Sequence, residues 1–308
     1  MKDANVSTEL PVKQALHMPA VSIVTTTFNR TEYLKEAIQS AVSQTFGDFE
    51  LLVCDDGGLD ATRRLCESFH DNRIVHVANP ARLGIARNTY AGIMRARSNV
   101  IAFLNDDDRW TRDFLAQCAV PLLEDSDAVL AFSDHWLIDS KGVRLLDATD
   151  ANTREYGRDV LTAGKVDCPA RLMVRLSVPM AMAAVFRRSK VDWDNYSEKV
   201  EGAYDSYIAY SLLRNKGKVI YIPRRLTEYR THSGAASAEF HRDTTEGLAH
   251  VYGLILKDPT YRIVAEEIRK KYIAFERHLV KLSLAEQDFR STMAHCARLI
   301  YTEIFSAG

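Results

Sequence analysis

Three apolar runs in the first half of the chain each stop abruptly at a cluster of polar residues. VSIVT (Val21 to Thr25) runs into Thr26–Arg30, FELLVC (Phe49 to Cys54) into Asp55–Gly58, and VIAFL (Val100 to Leu104) into Asn105–Asp108. Segments of helical period lie between them. From Thr31, as cap, to Thr45, the residues Leu34, Ala37, Ile38, Ala41 and Val42 recur at i, i+3, i+4, i+7 and i+8, one face of an amphipathic helix. Asp60 can cap a second helix running towards Phe69, Arg73 to Val77 reads as a strand, and Ile85 to Ala96 as the next helix. A helix from about Arg112 to Leu123 and a strand from Ala128 to Phe132 continue the alternation.

Near-continuous apolar strands separated by amphipathic helices define an α/β fold, a mostly parallel twisted sheet covered by helices on both faces. Ligands of such sheets bind beyond the carboxyl ends of the strands. The fold therefore gathers the three polar clusters on one rim, although they are scattered in sequence. The second half is less regular. Ala148 to Arg175 has few periodic apolar positions and reads as a loop or lid. Met180 to Phe186 reads as a strand, Tyr204 to Asn215 as a helix, and Val219 to Ile222 as a short edge strand before Pro223. Beyond about Phe240 the pattern is helical to the end.

Composition narrows the class. Of 308 residues, 46% are hydrophobic, enough for a sizeable core, and 40 basic residues against 41 acidic ones leave a net charge of −1. No global field steers this chain to nucleic acid, and no nucleic-acid partner is expected. No stretch approaches the roughly 18 apolar residues of a transmembrane helix, and Met1 to Met18 lacks the apolar centre of a signal peptide. Five widely spaced cysteines without a C-x-x-C pair suit free thiols in a reducing compartment, so the expected location is cytoplasmic.

The clusters carry chemistry. Asp106, Asp107 and Asp108 concentrate carboxylates that repel one another unless a cation arrives, and Mg²⁺ or Mn²⁺ is the natural partner. Taken alone, the run reads equally as a solvated loop capping the next helix. Asp55 and Asp56 precede two glycines that let a backbone approach a ligand closely. Thr25, Thr26, Thr27 and Asn29 offer hydrogen-bonding groups for a base or ribose. Arg87 and Asn88 open a helix after Gly84, where a cation and a helix N-terminus suit a diphosphate. Tyr229-Arg230-Thr231-His232 supplies a further cation and an imidazole. No P-loop, no G-x-G-x-x-G after the first strand and no G-x-S-x-G elbow occurs.

The order of these clusters resembles the family-2 glycosyltransferases of GT-A-type fold. The resemblance is carried by VSIVTTTFNR (Val21 to Arg30), LLVCDDGGLD (Leu51 to Asp60), RLGIARN (Arg82 to Asn88), IAFLNDDDRW (Ile101 to Trp110) and EYRTH (Glu228 to His232), and it spans about Ala20 to Ala235. It implies a nucleotide-sugar donor, usually UDP-linked, bound with Mn²⁺ or Mg²⁺. By similarity, Thr26 and Phe28 sit near the base with Arg30 close by, Asp56 hydrogen-bonds the pyrimidine N–H, and Asp55 supports that turn. Asp106 meets the ribose and Asp107 coordinates the metal, while Arg87, Arg230 and His232 close around the phosphates. The family's inverting members place a carboxylate base ahead of a helix in the second half; Asp205 matches that place best, with Glu201 in reserve. The chain departs from the family pattern at Thr26, where proline is common, and at Phe28, where tyrosine is usual. It departs also at Gly58 for serine, at Asn105 for the first aspartate of D-x-D, and at Tyr204 for an acidic residue.

The resemblance implies a metal-dependent inverting enzyme that transfers a sugar to a hydroxyl of a glycan or lipid-linked acceptor. Its expected organisation is an N-terminal extension over 1–19 and a transferase domain over 20–239. That domain divides into a nucleotide-sugar half (20–135) and an acceptor half (136–239), before a helical region over 240–308. Those last helices would shape the acceptor side or an interface between copies of the chain. A helix from Ala265 to Lys281 alternates Ile268, Tyr272, Phe275 and Leu279 with five basic residues, as a core-packed helix or one lying on a membrane surface would. Two other readings stand beside the enzyme: a non-catalytic nucleotide-sugar binder, if neither Asp205 nor Glu201 faces the donor, and a metal-dependent phosphohydrolase. The latter generally needs a carboxylate where this chain has Thr25-Thr26-Thr27.

Overall fold

A computed structural model describes residues 18–58, 60–232 and 242–305, with the backbone alone at Glu198, Glu201 and 303–305. The first half alternates as its periodicity requires: β1 (Val21–Thr27), α1 (Thr31–Val42), β2 (Phe49–Asp55), α2 (Asp60–Ser68), β3 (Ile74–Ala78), α3 (Ile85–Arg95) and β4 (Val100–Phe103). There follow β5 (Arg109–Trp110), α4 (Phe114–Glu124), β6 (Ala128–Ile138), α5 (Leu146–Glu155), β7 (Gly164–Lys165), α6 (Ala170–Arg175), α7 (Met180–Ala183) and β8 (Ala184–Arg187). The chain ends with α8 (Tyr204–Leu213), β9 (Lys218–Arg230), α9 (Arg242–Lys257), α10 (Ala265–Ala285) and α11 (Phe289–Phe305).

The strands form one sheet in the order β3-β2-β1-β4-β8-β6-β9-β5, with β7 also on β9. β1, β2, β3 and β4 pair in parallel, as do β6 and β9, whereas β8 is antiparallel to both its neighbours. Alternate side chains of the central strands feed two cores. Ile23, Leu51 and Val53 join Leu34, Ile38 and Leu115 on one face, and Val24, Leu52 and Cys54 join Ile93, Tyr207 and Tyr252 on the other. Burial on both faces is why these strands read as unbroken apolar runs. From β1 the chain builds outward through β2 and β3, then crosses back to β4 on the other side of β1. The crevice between the ends of β1 and β4 is therefore the topological switch point where ligands bind.

Three expectations for the second half are corrected. Ala148 to Arg175 is loop only in part: half of it lies in α5 and α6. The inward face of α5 is polar, so no apolar period betrays it. The buried Thr149 hydroxyl accepts from the Leu137 amide at 2.9 Å, and the Thr153 hydroxyl donates to Asp134 at 2.7 Å. Val219 to Ile222 is not an edge but the start of β9, which continues to Arg230 between β6 and β5. Pro223, which has no N–H to give a ladder, falls in a bulge: Ser133 pairs with Ile222, and Asp134 next with Arg225. Met180 to Phe186 begins with the helical turn α7 and becomes strand only at Ala184.

The C-terminal helices pack on the second core. Ile268, Tyr272 and Leu279 of α10 are buried there, so its apolar face is used in packing and is not offered to a membrane. No described helix is long and apolar enough to cross a bilayer.

Candidate active site

The residues at the switch point line one cavity of about 610 Å³, shared by the ends of β1, β2 and β4 and by α6, α7, α8 and α9. From the β1 and β2 ends come Thr26, Phe28, Arg30 and Asp56, from the β4 end Asn105, Asp106 and Asp107, and from α8 Tyr204 and Asp205.

At one end, Asp55 and Asp56 divide the work. Asp55 is fully buried and turns the chain: its Oδ1 accepts from the Gly57 and Gly58 amides at 2.9 and 3.1 Å, and its Oδ2 lies 3.3 Å from His76 Nε2. The turn favours glycine: Gly58 has φ +61°, and a Cβ on Gly57 would force the Asn29 side chain, 2.2 Å away at Oδ1, to move. Asp56 faces the cavity. Its Oδ1 accepts from Asn79 Nδ2 at 3.0 Å and the Leu83 amide at 2.7 Å, and its Oδ2 accepts from the Gly84 amide at 2.9 Å. A carboxylate has about four acceptor positions, so one on Oδ2 is left for a ligand N–H. Asn79 also donates to Asn88 Oδ1 at 2.8 Å, and Asn88 Nδ2 donates to the Cys54 carbonyl at 2.9 Å, tying the start of α3 to β2. At the mouth the Phe28 ring, 40% exposed, lies 4.3 Å from the Arg82 guanidinium carbon.

At the β4 end three carboxylates crowd together, each in a different setting. Asp106 accepts from the Thr27 hydroxyl and the Phe28 amide, yet burial and then the charge of Asp107 push its carboxyl up to about 6. Asp107 Oδ2 meets Arg30 Nη1 at 3.0 Å and His232 Nε2 at 3.2 Å. Asp108 points into the protein, accepting from the Arg230 amide at 2.8 Å and Asn105 Nδ2 at 3.1 Å, and its burial holds its carboxyl well above the usual range.

Of the expected phosphate cations, Arg230 lines the cavity with its guanidinium already engaged, whereas Arg87 does not line it. Arg230 is 1% exposed, and its guanidinium is engaged by the Asp107 carbonyl at 2.8 Å, the Ser140 carbonyl at 3.2 Å and Glu36 at 2.6 Å. It braces the aspartate turn from below. Arg87 is exposed on α3 and is not among the residues lining the cavity, because the helical period turns Asn88 inward instead. His232 keeps its place beside Asp107. Asp205 opens α8 and lines the cavity with its carboxylate held by the Ser206 amide at 2.6 Å; burial raises its pKa above the ordinary carboxylate value. The side chain of Glu201, the reserve candidate, lies outside the described residues. Sequence reasoning passed over Asn79 and left Arg82 without a role. Asn79 follows β3 directly and could have been found by the same rule of polar residues at parallel strand ends.

Among the described residues no group of three or more His, Cys, Asp or Glu side chains is arranged to hold a metal. A divalent cation here would rest on Asp107, with Asp106 next in the chain and His232 Nε2 3.2 Å from its Oδ2, where Arg30 now stands as the counter-charge. One or two protein carboxylates with substrate phosphates complete the usual set for Mg²⁺ or Mn²⁺.

A family model described as Glycosyl transferase family 2 matches residues 22–190, more than half of the chain, and the chain belongs to that family. An uncharacterized glycosyltransferase of Rickettsia felis is 23% identical over 247 residues, covering 80% of this chain and 39% of its own length. The chain thus spans about two fifths of that relative. Among solved structures, S. aureus TarS 1–349 in complex with UDP-GlcNAc superposes with a TM-score of 0.67 at 16% identity, covering 92% of this chain and 81% of that one. A mannosyltransferase from Pyrobaculum calidifontis, PcManGT, in complex with GDP-Man and Mn²⁺, superposes with a TM-score of 0.60 at 15% identity, covering 95% and 89%. These likenesses carry the fold, which is the GT-A-type arrangement that the sequence motifs imply.

Proposed function

We propose that this chain is a cytoplasmic, metal-dependent, inverting glycosyltransferase that moves a sugar from a nucleotide donor, UDP-linked, to a hydroxyl of a glycan or lipid-linked acceptor. The observation that carries the reading is the single cavity of about 610 Å³ lined at once by Asp56, by Asp106 and Asp107, and by Asp205. A base-recognising carboxylate, a diphosphate-and-cation site and a separate carboxylate facing the same space are what one displacement at an anomeric carbon requires. That TarS and PcManGT are named with UDP-GlcNAc and with GDP-Man and Mn²⁺ supports the donor class and the cation. We take 20–239 as the transferase unit and 240–308 as helices that brace its acceptor side.

In this scheme Thr26, Phe28 and Arg82 flank the base, the remaining acceptor position of Asp56 takes the pyrimidine N–H, and Asp55 holds their turn rigid. Asp106 faces the ribose. Asp107, with His232 beside it, would hold the divalent ion, which when bound neutralises the charge that develops on the departing nucleoside diphosphate. Arg30 is within reach of the same phosphates. Asp205 takes the proton from the acceptor hydroxyl as that oxygen attacks the anomeric carbon from the face opposite the leaving diphosphate. Its raised pKa suits the task, because a carboxylate of ordinary pKa is too weak a base to draw a hydroxyl proton efficiently near neutral pH. Arg230 acts through Asp107 by fixing the backbone that carries it.

The reading is tested by incubating the protein with UDP-, dTDP- and GDP-sugars in Mn²⁺ and measuring nucleoside diphosphate release. Release from one donor class, abolished by EDTA and by Asp205→Asn, is the expected result. A chain that binds nucleotide yet releases none in the presence of any acceptor tried would be the non-catalytic binder instead.

A further inference from the structure

Past Asp205 the cavity continues along a wall that donor chemistry leaves unused. α6 contributes Leu172 and Met173, the segment after it Leu176 and Val178, α7 Met180, and α9 Leu248. All these side chains are buried or nearly so, yet they bound open space. A nucleoside diphosphate is polar along most of its length and is served by the groups at the ends of β1, β2 and β4. An aliphatic wall of this kind instead removes apolar ligand surface from water.

Leu176 makes the case sharper. It ends α6 with φ +52°, the left-handed conformation that glycine or asparagine adopts at least cost. The Ser177 amide donates back to the Leu172 carbonyl at 2.9 Å, closing the helix as a glycine-type cap would. The Leu176 side chain both packs against the second core and lines the cavity. Asn152 and Tyr156, at the end of α5, line the same cavity with His135 and Arg158; the Asn152 side-chain carbonyl already accepts from Arg158, and the Tyr156 phenol stands among the lining groups.

We propose that this wall receives the apolar part of the acceptor: the attacking hydroxyl belongs to an amphipathic molecule, a sugar head carried on an aliphatic chain, rather than to a free water-soluble glycan. The inference rests on the transferase reading above and narrows its acceptor class. Asn152 and Tyr156 meet the polar head, and Leu172, Met173, Leu176 and Leu248 meet the first segment of the chain.

The test uses methyl, butyl, hexyl and octyl β-glycosides of glucose, galactose and N-acetylglucosamine below their micelle concentrations, titrated calorimetrically into the protein with UDP and Mn²⁺. Affinity in at least one series should rise with chain length, by up to roughly four-fold per buried methylene. Leu176→Asn and Leu176→Gly both suit the left-handed backbone, so both should melt within a few degrees of wild type, bind UDP normally and flatten the dependence on chain length. A flat dependence in all three series, or one that survives unchanged in both variants, overturns the proposal while intact UDP binding leaves the transferase reading standing. Loss of UDP binding by the wild-type protein would strike the transferase reading itself, whatever the glycosides do.

Discussion

Arg30 Nη1 lies 3.0 Å from Asp107 Oδ2, so an arginine of the chain already occupies the neighbourhood that we propose for a divalent cation. It reaches Asp106 Oδ1 as well, at 3.6 Å. Metal entry therefore displaces a resident counter-charge, and the diphosphate that arrives with the metal offers the guanidinium a new partner. Because the Arg30 side chain is 35% exposed, the competition is modest, about 1 kcal/mol. Arg30→Gln should tighten nucleotide-free Mn²⁺ binding about five-fold and weaken UDP binding in the presence of Mn²⁺. Electron paramagnetic resonance of free Mn²⁺ measures the first effect, and unchanged metal affinity in the variant would remove Arg30 from the site.

Asp205, as the proposed base, should set the pH dependence of turnover. Burial raises its pKa above the ordinary aspartate value, so as pH falls the carboxylate is protonated, and the base lost, earlier than for an exposed aspartate. The acid limb of kcat should accordingly lie higher than an exposed aspartate would place it. Asp205→Asn should lower kcat by about 10²- to 10⁴-fold with little change in UDP affinity. A variant that turns over at the wild-type rate with the same pH profile would show that another group takes the proton.

His135 makes a separate prediction about stability. Its burial, reinforced by the Arg158 guanidinium, holds the imidazole pKa down from 6.5 to about 3, so the folded protein keeps it neutral. The unfolded chain binds a proton near 6.5 that the folded chain refuses, and stability is therefore fully present above that pH and lost as pH falls towards 3. Between about pH 6 and 4.5 the slope from this group should approach about 1.4 kcal/mol per pH unit, before most carboxylates titrate. Urea unfolding of His135→Gln across that range should show a shallower slope. Parallel slopes would mean that the ring is hydrated in solution.

The contact of α3 with the sheet is close enough to be tested with one methyl group. A Cβ on Gly92 would lie 2.7 Å from Cys54 Sγ and 2.8 Å from Val24 Cγ1. Gly92→Ala should destabilise the protein by about 1–2 kcal/mol, since overpacking outweighs the gain in helix propensity. It should also weaken UDP binding, because α3 carries Asn88, which ties Asn79 and so Asp56 into place. Chemical denaturation checks the first claim; a more stable variant would mean that α3 sits further from β2.

How much of this was legible in the chain followed from what each residue packs against. β1, β2 and β4 write unbroken apolar runs because both their faces are covered, and the polar residues that end them had to meet at the switch point. α5 left no such trace, because Thr149 pairs with the Leu137 amide and Thr153 with Asp134 where apolar residues would ordinarily stand. β9 was cut short by Pro223, whose exception is a bulge that only the pairing partner reveals. Within the site, Asp55 and Asp56 differ by one position and read alike, yet the alternation of a strand end buries one and turns the other to the cavity. Arg230 and Arg87 also read alike, as cations near phosphate. Which of them is enclosed by Glu36 and two carbonyls, and which points outward, depends on contacts between residues far apart in sequence.

The proposed nucleotide site should bind with an affinity that depends on a cation held at Asp107. Calorimetric titration of UDP into wild type and Asp107→Ala, each with Mn²⁺ and with EDTA, measures this dependence. Wild-type binding in Mn²⁺ should fall roughly ten-fold or more with EDTA and in the variant. Equal UDP binding under all four conditions, or none under any, would contradict it.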